Sequence, residues 1–233
     1  MIYTQYELMQ THINALFTTD SLSNLIFVNE PWDQTQAAPK AFIGYSLDSR
    51  SILKFHHAVH DDIRNKIINL NKTKPLFGGG VIRPEYLCIY ADILQSRRHS
   101  IELCFYVQDL SPEINNCIII DEKNVHDLAL GEFDWLKEEV EYSQPCMGFL
   151  ASERLVSICR SVRKTPAAHE AGIETAAAFR GMNYAKAVLA AWADAVRGQG
   201  IIPMYSTSLE NASSQRVAEK SSLYKYGISF SFI

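Results

Sequence analysis

The residues best able to do chemistry lie between Thr175 and Lys186, in the run Thr175-Ala-Ala-Ala-Phe-Arg-Gly-Met-Asn-Tyr-Ala-Lys186. The run reads as a strand end, a polar turn and the first turn of a long amphipathic helix. Such a junction offers unpaired backbone N–H groups, backed by the positive end of a helix dipole, to a phosphate. Arg180 adds a charged donor, and Gly181 lets the main chain approach an anion without a Cβ in the way. The plain alternative is a helix start that holds no ligand.

Upstream, Glu170 and Glu174 alternate to one side of an expected strand, with His169 on the other. Either carboxylate could take a proton from a nucleophile, or be a solvated or ion-paired strand residue. His56, His57 and His60 share an expected helix, and 56/60 has the i, i+4 spacing of some zinc sites. No Glu follows His56 and no third ligand is near, so a solvated face is expected and no metal. Gly78-Gly-Gly80 lacks the Lys-Ser/Thr of a P-loop. The serines at 206, 208, 213 and 214 lack a motif that sets a His and an acid beside them.

Several elements must position these groups. Helical spacing is expected over 6–16, 56–70, 125–130, 133–142, 182–197 and 212–220, and strands over 25–28, 101–107, 117–120, 146–150, 155–163, 168–175, 201–206 and 227–233. The segment 85–94 fits helix or strand. The helix from Met182 to Arg197 carries the clearest stripe, through Ala185, Val188, Leu189, Trp192 and Val196, and Gly198 and Gly200 end it. From Cys117 onward the order is β-α-α-β-β-β-α-β-α-β, a mixed α/β chain.

The chain has 233 residues, 47% hydrophobic and 21% charged. Residues 1–150 hold 12 Lys/Arg against 20 Asp/Glu, whereas 151–233 hold 10 against 6. The basic C-terminal third suits an anionic ligand, but no clustered stripe points to nucleic acid. No apolar run approaches the roughly 20 residues that span a bilayer. The first residues lack a basic region followed by an apolar core, so secretion is not expected. Five scattered cysteines without a Cys-x-x-Cys pair read as reduced thiols in a cytoplasmic protein.

Arg180-Gly181-Met182-Asn183-Tyr184-Ala185 resembles the acyl-CoA pyrophosphate loop of the GCN5-related N-acetyltransferases, usually written Arg/Gln-x-x-Gly-x-Gly/Ala. The element order resembles that family's fold over about 115–233. It is most specific over 155–227, where Leu155–Arg160, Glu170–Thr175 and Tyr205–Asn211 fall in the family's sequence. The resemblance implies a mixed-sheet acyl-CoA N-acyltransferase (GNAT) domain over 115–233, with residues 1–114 as an N-terminal α+β extension on the acceptor side. It implies acetyl-CoA as co-substrate, no metal, and acetyl transfer to a small-molecule or peptide amine by direct attack. Oligomeric state is left open.

On that resemblance the main chain of Ile173, Glu174 and Thr175 pairs with the pantetheine arm. Arg180, Gly181, Met182, Asn183, Tyr184 and Ala185 hold the pyrophosphate, and Asn211 and Ser214 belong to the family's Asn-x-x-Ser/Ala segment. Glu174 or Glu170 is the implied base. Asn183 replaces the usual glycine, and Ala218 stands where many members carry the tyrosine that protonates the thiolate. Tyr224 or Tyr226 could supply that hydroxyl, or pack at the edge of the last strand. A non-catalytic CoA-binding module is the alternative to an enzyme.

Overall fold

A computed structural model describes residues 3–110 and 116–233. The boundary expected between 114 and 115 lies outside the described residues, as do Met1 and Ile2. The N-terminal half runs α1 (Gln5–Leu16), β1 (Phe17–Thr19), β2 (Leu25–Val28), β3 (Ala41–Ser46), β4 (Ser51–Phe55), α2 (Asp61–Thr73), the short hairpin β5 (Phe77–Gly78) and β6 (Val81–Ile82), α3 (Leu87–Leu94) and β7 (His99–Tyr106). Then follow β8 (Cys117–Ile119), α4 (Leu136–Glu139), β9 (Cys146–Ala151), β10 (Arg154–Lys164), β11 (Ala168–Thr175), α5 (Tyr184–Arg197), β12 (Ile202–Ser208), α6 (Ala212–Lys220) and β13 (Tyr224–Phe232).

Nine strands form one mixed sheet in the order β4-β3-β13-β7-β12-β11-β10-β9-β8. Strand β7 sits between β12 and β13, pairing antiparallel with both. The two halves of the chain therefore share their hydrogen bonds in the middle of the sheet. Among the described neighbouring strands of this sheet, only β11 and β12 run parallel, joined by the crossover through α5.

Helix α5 lies on one face of the sheet because its apolar stripe leaves no other choice. Val188, Leu189, Trp192 and Val196 are wholly buried against Cys159, Ala171 and Tyr205. Full burial of each such side chain stabilises by about 1.5–3 kcal/mol. The Trp192 indole N–H donates to Ser161 Oγ at 3.0 Å, so its one polar group is not stranded. On the opposite face, α1 is started by a capping box between Thr4 and Glu7 and presses on the sheet through Leu8, Met9, His12 and Ile13. It comes close: a Cβ on Gly227 would lie 2.4 Å from Met9 Cε.

Four expectations change. The helix expected from His56 begins at Asp61, with His60 extended as its N-cap. Arg64 donates to the carbonyls of Val59 and His56, fixing 56–60 as a turn, so His56 and His60 do not share a helix face. The helix expected over 125–130 is turn and bend, and the one expected over 133–142 is a tight turn at Gly131–Phe133 followed by the single turn of α4. Its apolar residues Phe133, Leu136 and Val140 are buried together all the same, because spacing selects a face even where no long helix forms. The ambiguous segment 85–94 is helical over Leu87–Leu94.

Candidate functional site

The site begins where two parallel strands part. β11 and β12 pair at Ala168↔Ile202, His169↔Pro203 and Glu170↔Met204, and pairing stops there. Beyond that point β11 continues to Thr175 on β10 alone, while β12 continues to Ser208 on β7 alone. The inner edges of Ala171–Thr175 and Tyr205–Ser208 are thus left without a strand partner. Such an edge is a template for an extended ligand with amide groups of its own.

The wide end of this gap meets the loop ahead of α5. Gly181 and Asn183 both have left-handed backbone, with φ of 83° and 65°. Glycine adopts this freely, and asparagine better than most residues. The two turns curl the chain so that α5 starts with Asn183 as its N-cap. Among the described residues, no protein acceptor faces the amide N–H groups of residues 181–185; the first amide claimed is that of Lys186, by the Asn183 carbonyl at 3.1 Å. Lys220 of α6 donates to Asn183 Oδ1 at 2.7 Å, tying the loop to the next helix.

A cleft of about 870 Å³ opens over this loop. Arg180, Lys186, Arg216 and Lys220 line it, against the carboxylates of Glu132 and Glu174. Free amides and four cations fit a polyphosphate group carried on an extended arm. Glu132 is already engaged, accepting the Ala177 amide at 3.2 Å. On the α6 side, Asn211 Oδ1 caps the helix by accepting the Ser214 amide at 3.0 Å. Tyr205 reaches the same wall and donates to the Ser214 carbonyl at 3.3 Å. Burial pushes its hydroxyl up to about 12, so it keeps its proton near neutrality.

The structure brings most of the expected residues together. Ile173, Glu174, Thr175, Arg180, Gly181, Asn183, Tyr184, Ala185, Asn211 and Ser214 all line the cleft. Met182 is not among the residues that line it and is 55% exposed. Arg216, Lys220 and Glu132 also line the cleft although no motif marks them, and Tyr205 joins them from a stretch of family resemblance that attaches no role to it. A weak signal existed for α6, where Ser213, Arg216, Val217 and Lys220 recur at helical spacing on the cleft side.

Glu170, Tyr224 and Tyr226 lie elsewhere, under or beside α1. Glu170 Oε2 is 2.7 Å from His12 Nε2, and both side chains are buried. The contact is one of charge and distance rather than an aligned hydrogen bond. Tyr226 Oη is 2.7 Å from His12 Nδ1 and is wholly buried. Burial opposes charge on both members of the pair, but mutual attraction wins: His12 is held well above its ordinary value and Glu170 below its own. Tyr224 Oη accepts from Gln5 Nε2 at 2.9 Å at the other end of α1.

A family model described as GNAT acetyltransferase matches residues 100–225. No curated protein matches the chain. Among solved structures, a GCN5-related N-acetyltransferase-like protein from Streptococcus suis is 16% identical over 98% of this chain and 100% of its own, with a TM-score of 0.47. An acetyltransferase from the GNAT family of Colwellia psychrerythraea is 15% identical over 85% and 82% respectively, at a TM-score of 0.47. A GNAT-family protein from Novosphingobium aromaticivorans is 19% identical over 58% of this chain, at 0.44; the match spans 65% of that protein, just under two thirds.

Proposed function

Because the chain belongs to the GNAT acetyltransferase family, we propose that it transfers an acetyl group from acetyl-CoA to a primary amine by direct attack, with no covalent intermediate on the protein. The observation that carries this reading is the parting of β11 from β12, ending on a loop whose amides have no acceptor among the described residues. Acetyl-CoA supplies an acyl carbon already activated as a thioester.

The chain's own residues would do the rest. The amides of Gly181 to Ala185 would bind the pyrophosphate, with Arg180, Arg216 and Lys220 matching its charge. The main chain of Ile173 to Thr175 would pair with the pantetheine amides, and Asn211 and Ser214 would form the opposite wall. Tyr205 keeps its proton and faces the cleft, so its hydroxyl can turn from the Ser214 carbonyl to a departing sulfur. It would take the place left open by Ala218, which is buried in α6.

The acceptor is taken to be a small-molecule or peptide amine, with residues 1–114 forming its side of the site. Among the described residues no helix is long and apolar enough to cross a membrane. The cysteines are free thiols, and the reading sets the protein in the cytoplasm. Calorimetry with CoA, followed by thiol release from acetyl-CoA across an amine panel, tests the proposal. Binding heat with turnover of at least one amine is expected. Ala218 favours one rival, a CoA-binding module, which would give heat without turnover.

A further inference from the structure

We infer that Glu102 of β7 is the carboxylate that takes the proton from the acceptor amine, with Ser206 holding it in place. This rests on the reading of the cleft given above. The gap between β11 and β12 closes at Glu170↔Met204. An extended arm leaving the loop at the wide end runs along β11 toward that closed end, so its reactive end arrives there. The first two residues of β12 past the closure are Tyr205 and Ser206, and strand alternation sends them to opposite faces. Tyr205 faces α5 and the cleft. Ser206 faces the α1 side, where its Oγ donates to Glu102 Oε2 at 3.1 Å.

Glu102 lies level with Ser208, and its carboxylate reaches back to Ser206, two residues past the closure, on the face opposite the tyrosine. Both it and Ser206 remain partly exposed, unlike the neighbouring Glu170. The other candidates are worse placed. Glu170 is committed to His12. Glu174 is also four residues beyond the closure, and among the described residues no hydrogen bond to its carboxylate turns it back toward the closed end as Ser206 turns Glu102. The sequence offers no hint of Glu102, because β7 precedes the apparent start of the family resemblance and reaches β12 only in the folded sheet.

The groups facing Glu102 come from four elements. Burial lifts its carboxyl above the usual range and Glu170 of β11 adds to the rise. His12 of α1, Ser206 of β12 and Arg163 of β10 oppose it. A carboxylate so balanced suits proton transfer from an ammonium. Glu102 takes one proton from R–NH3⁺. The freed lone pair forms the C–N bond at the acyl carbon, and the C–S bond breaks with its electrons going to sulfur. Tyr205 gives its proton to that sulfur and takes up the surplus proton left on nitrogen, and Glu102 returns its own proton to water.

The test compares wild type, E102Q, E102D and S206A. E102Q is expected to bind CoA with unchanged heat, since Glu102 does not line the cleft, and to lose about 10²–10⁴-fold in kcat/KM for the amine found in the panel. Wild-type kcat/KM should fall in acid as Glu102 is protonated; E102Q should lack that limb, and E102D should restore part of the rate. Independently of turnover, the carboxyl 13C signal that vanishes in E102Q should titrate above the ordinary glutamate range, and S206A should move it higher. If wild type binds no CoA, the reading of the cleft falls and this assignment with it. If wild type binds and turns over, but E102Q keeps its rate and acid limb, this assignment alone is overturned. A vanishing signal that titrates at the ordinary glutamate position overturns it too, and that measurement with S206A stands even if E102Q does not fold.

Discussion

The two ends of β11 meet opposite fates. From Ala168 to Glu170 the strand is paired on both edges, and the charge of Glu170 is met by His12 under a packed helix. From Ala171 to Thr175 one edge is bare, and the loop that follows carries amides with no acceptor among the described residues. The first half satisfies its polar groups internally, which holds the sheet and α1 together. The second leaves them open, which is what a ligand requires. Stability and binding should therefore fail separately when the two halves are damaged.

The largest effect expected is on stability. His12→Ala strips the partner from a buried carboxylate and should cost about 3–5 kcal/mol in urea denaturation, while CoA affinity measured under folding conditions stays unchanged. A large loss of affinity with stability intact would erase the distinction. The same pair sets a pH dependence. Glu170 is held below its ordinary 4.5, because attraction to His12 outweighs burial. Its contribution is complete above that value and is lost as pH falls through the depressed one. His12 is raised above 6.5, so its contribution is complete below that value and is lost as pH rises through the raised one. Wild type should lose stability toward both acid and alkali, whereas His12→Ala, which leaves burial to raise Glu170, should gain stability as pH falls and that carboxylate is protonated.

Next in size, Gly181→Val should weaken CoA binding about 10–100-fold by calorimetry and lower the melting temperature by roughly 2–10 °C. Its Cβ would meet open space, so the cost is left-handed backbone strain of about 1–3 kcal/mol, placed where the anion must approach. Arg216→Ala should weaken binding by about 3–10-fold, with the difference shrinking as salt rises. The smallest effect belongs to Asn183→Gly. Glycine keeps the left-handed turn but gives up the exposed contact with Lys220, and CoA affinity should change by less than about threefold.

Local chemistry made the open half of this comparison legible in the sequence. A glycine, an asparagine and the apolar stripe of α5 sit within a few residues of one another, so the loop and its helix could be placed without knowing the rest. The boundaries of α6, Ala212 to Lys220, follow from its Asn211 cap in the same way. The closed half depends on distant partners. Alternation sets Glu170 and Glu174 on one side of β11, but not that a histidine more than 150 residues earlier seals the first and leaves the second open. The hydroxyl of Tyr205 was hidden for a similar reason, since only the parting of β12 from β11 turns it into a cleft residue.

The place of β7 bears on how this polypeptide is made. Both of its neighbours, β12 and β13, are translated roughly a hundred residues after it. A chain emerging from the ribosome presents β3, β4 and β7 with the slots between them still empty. Pairings so remote in sequence are slow to form and leave strand edges bare meanwhile. Of the strands in this sheet, β13 leaves the exit tunnel last, and it is the one that joins the amino-terminal strands to the centre.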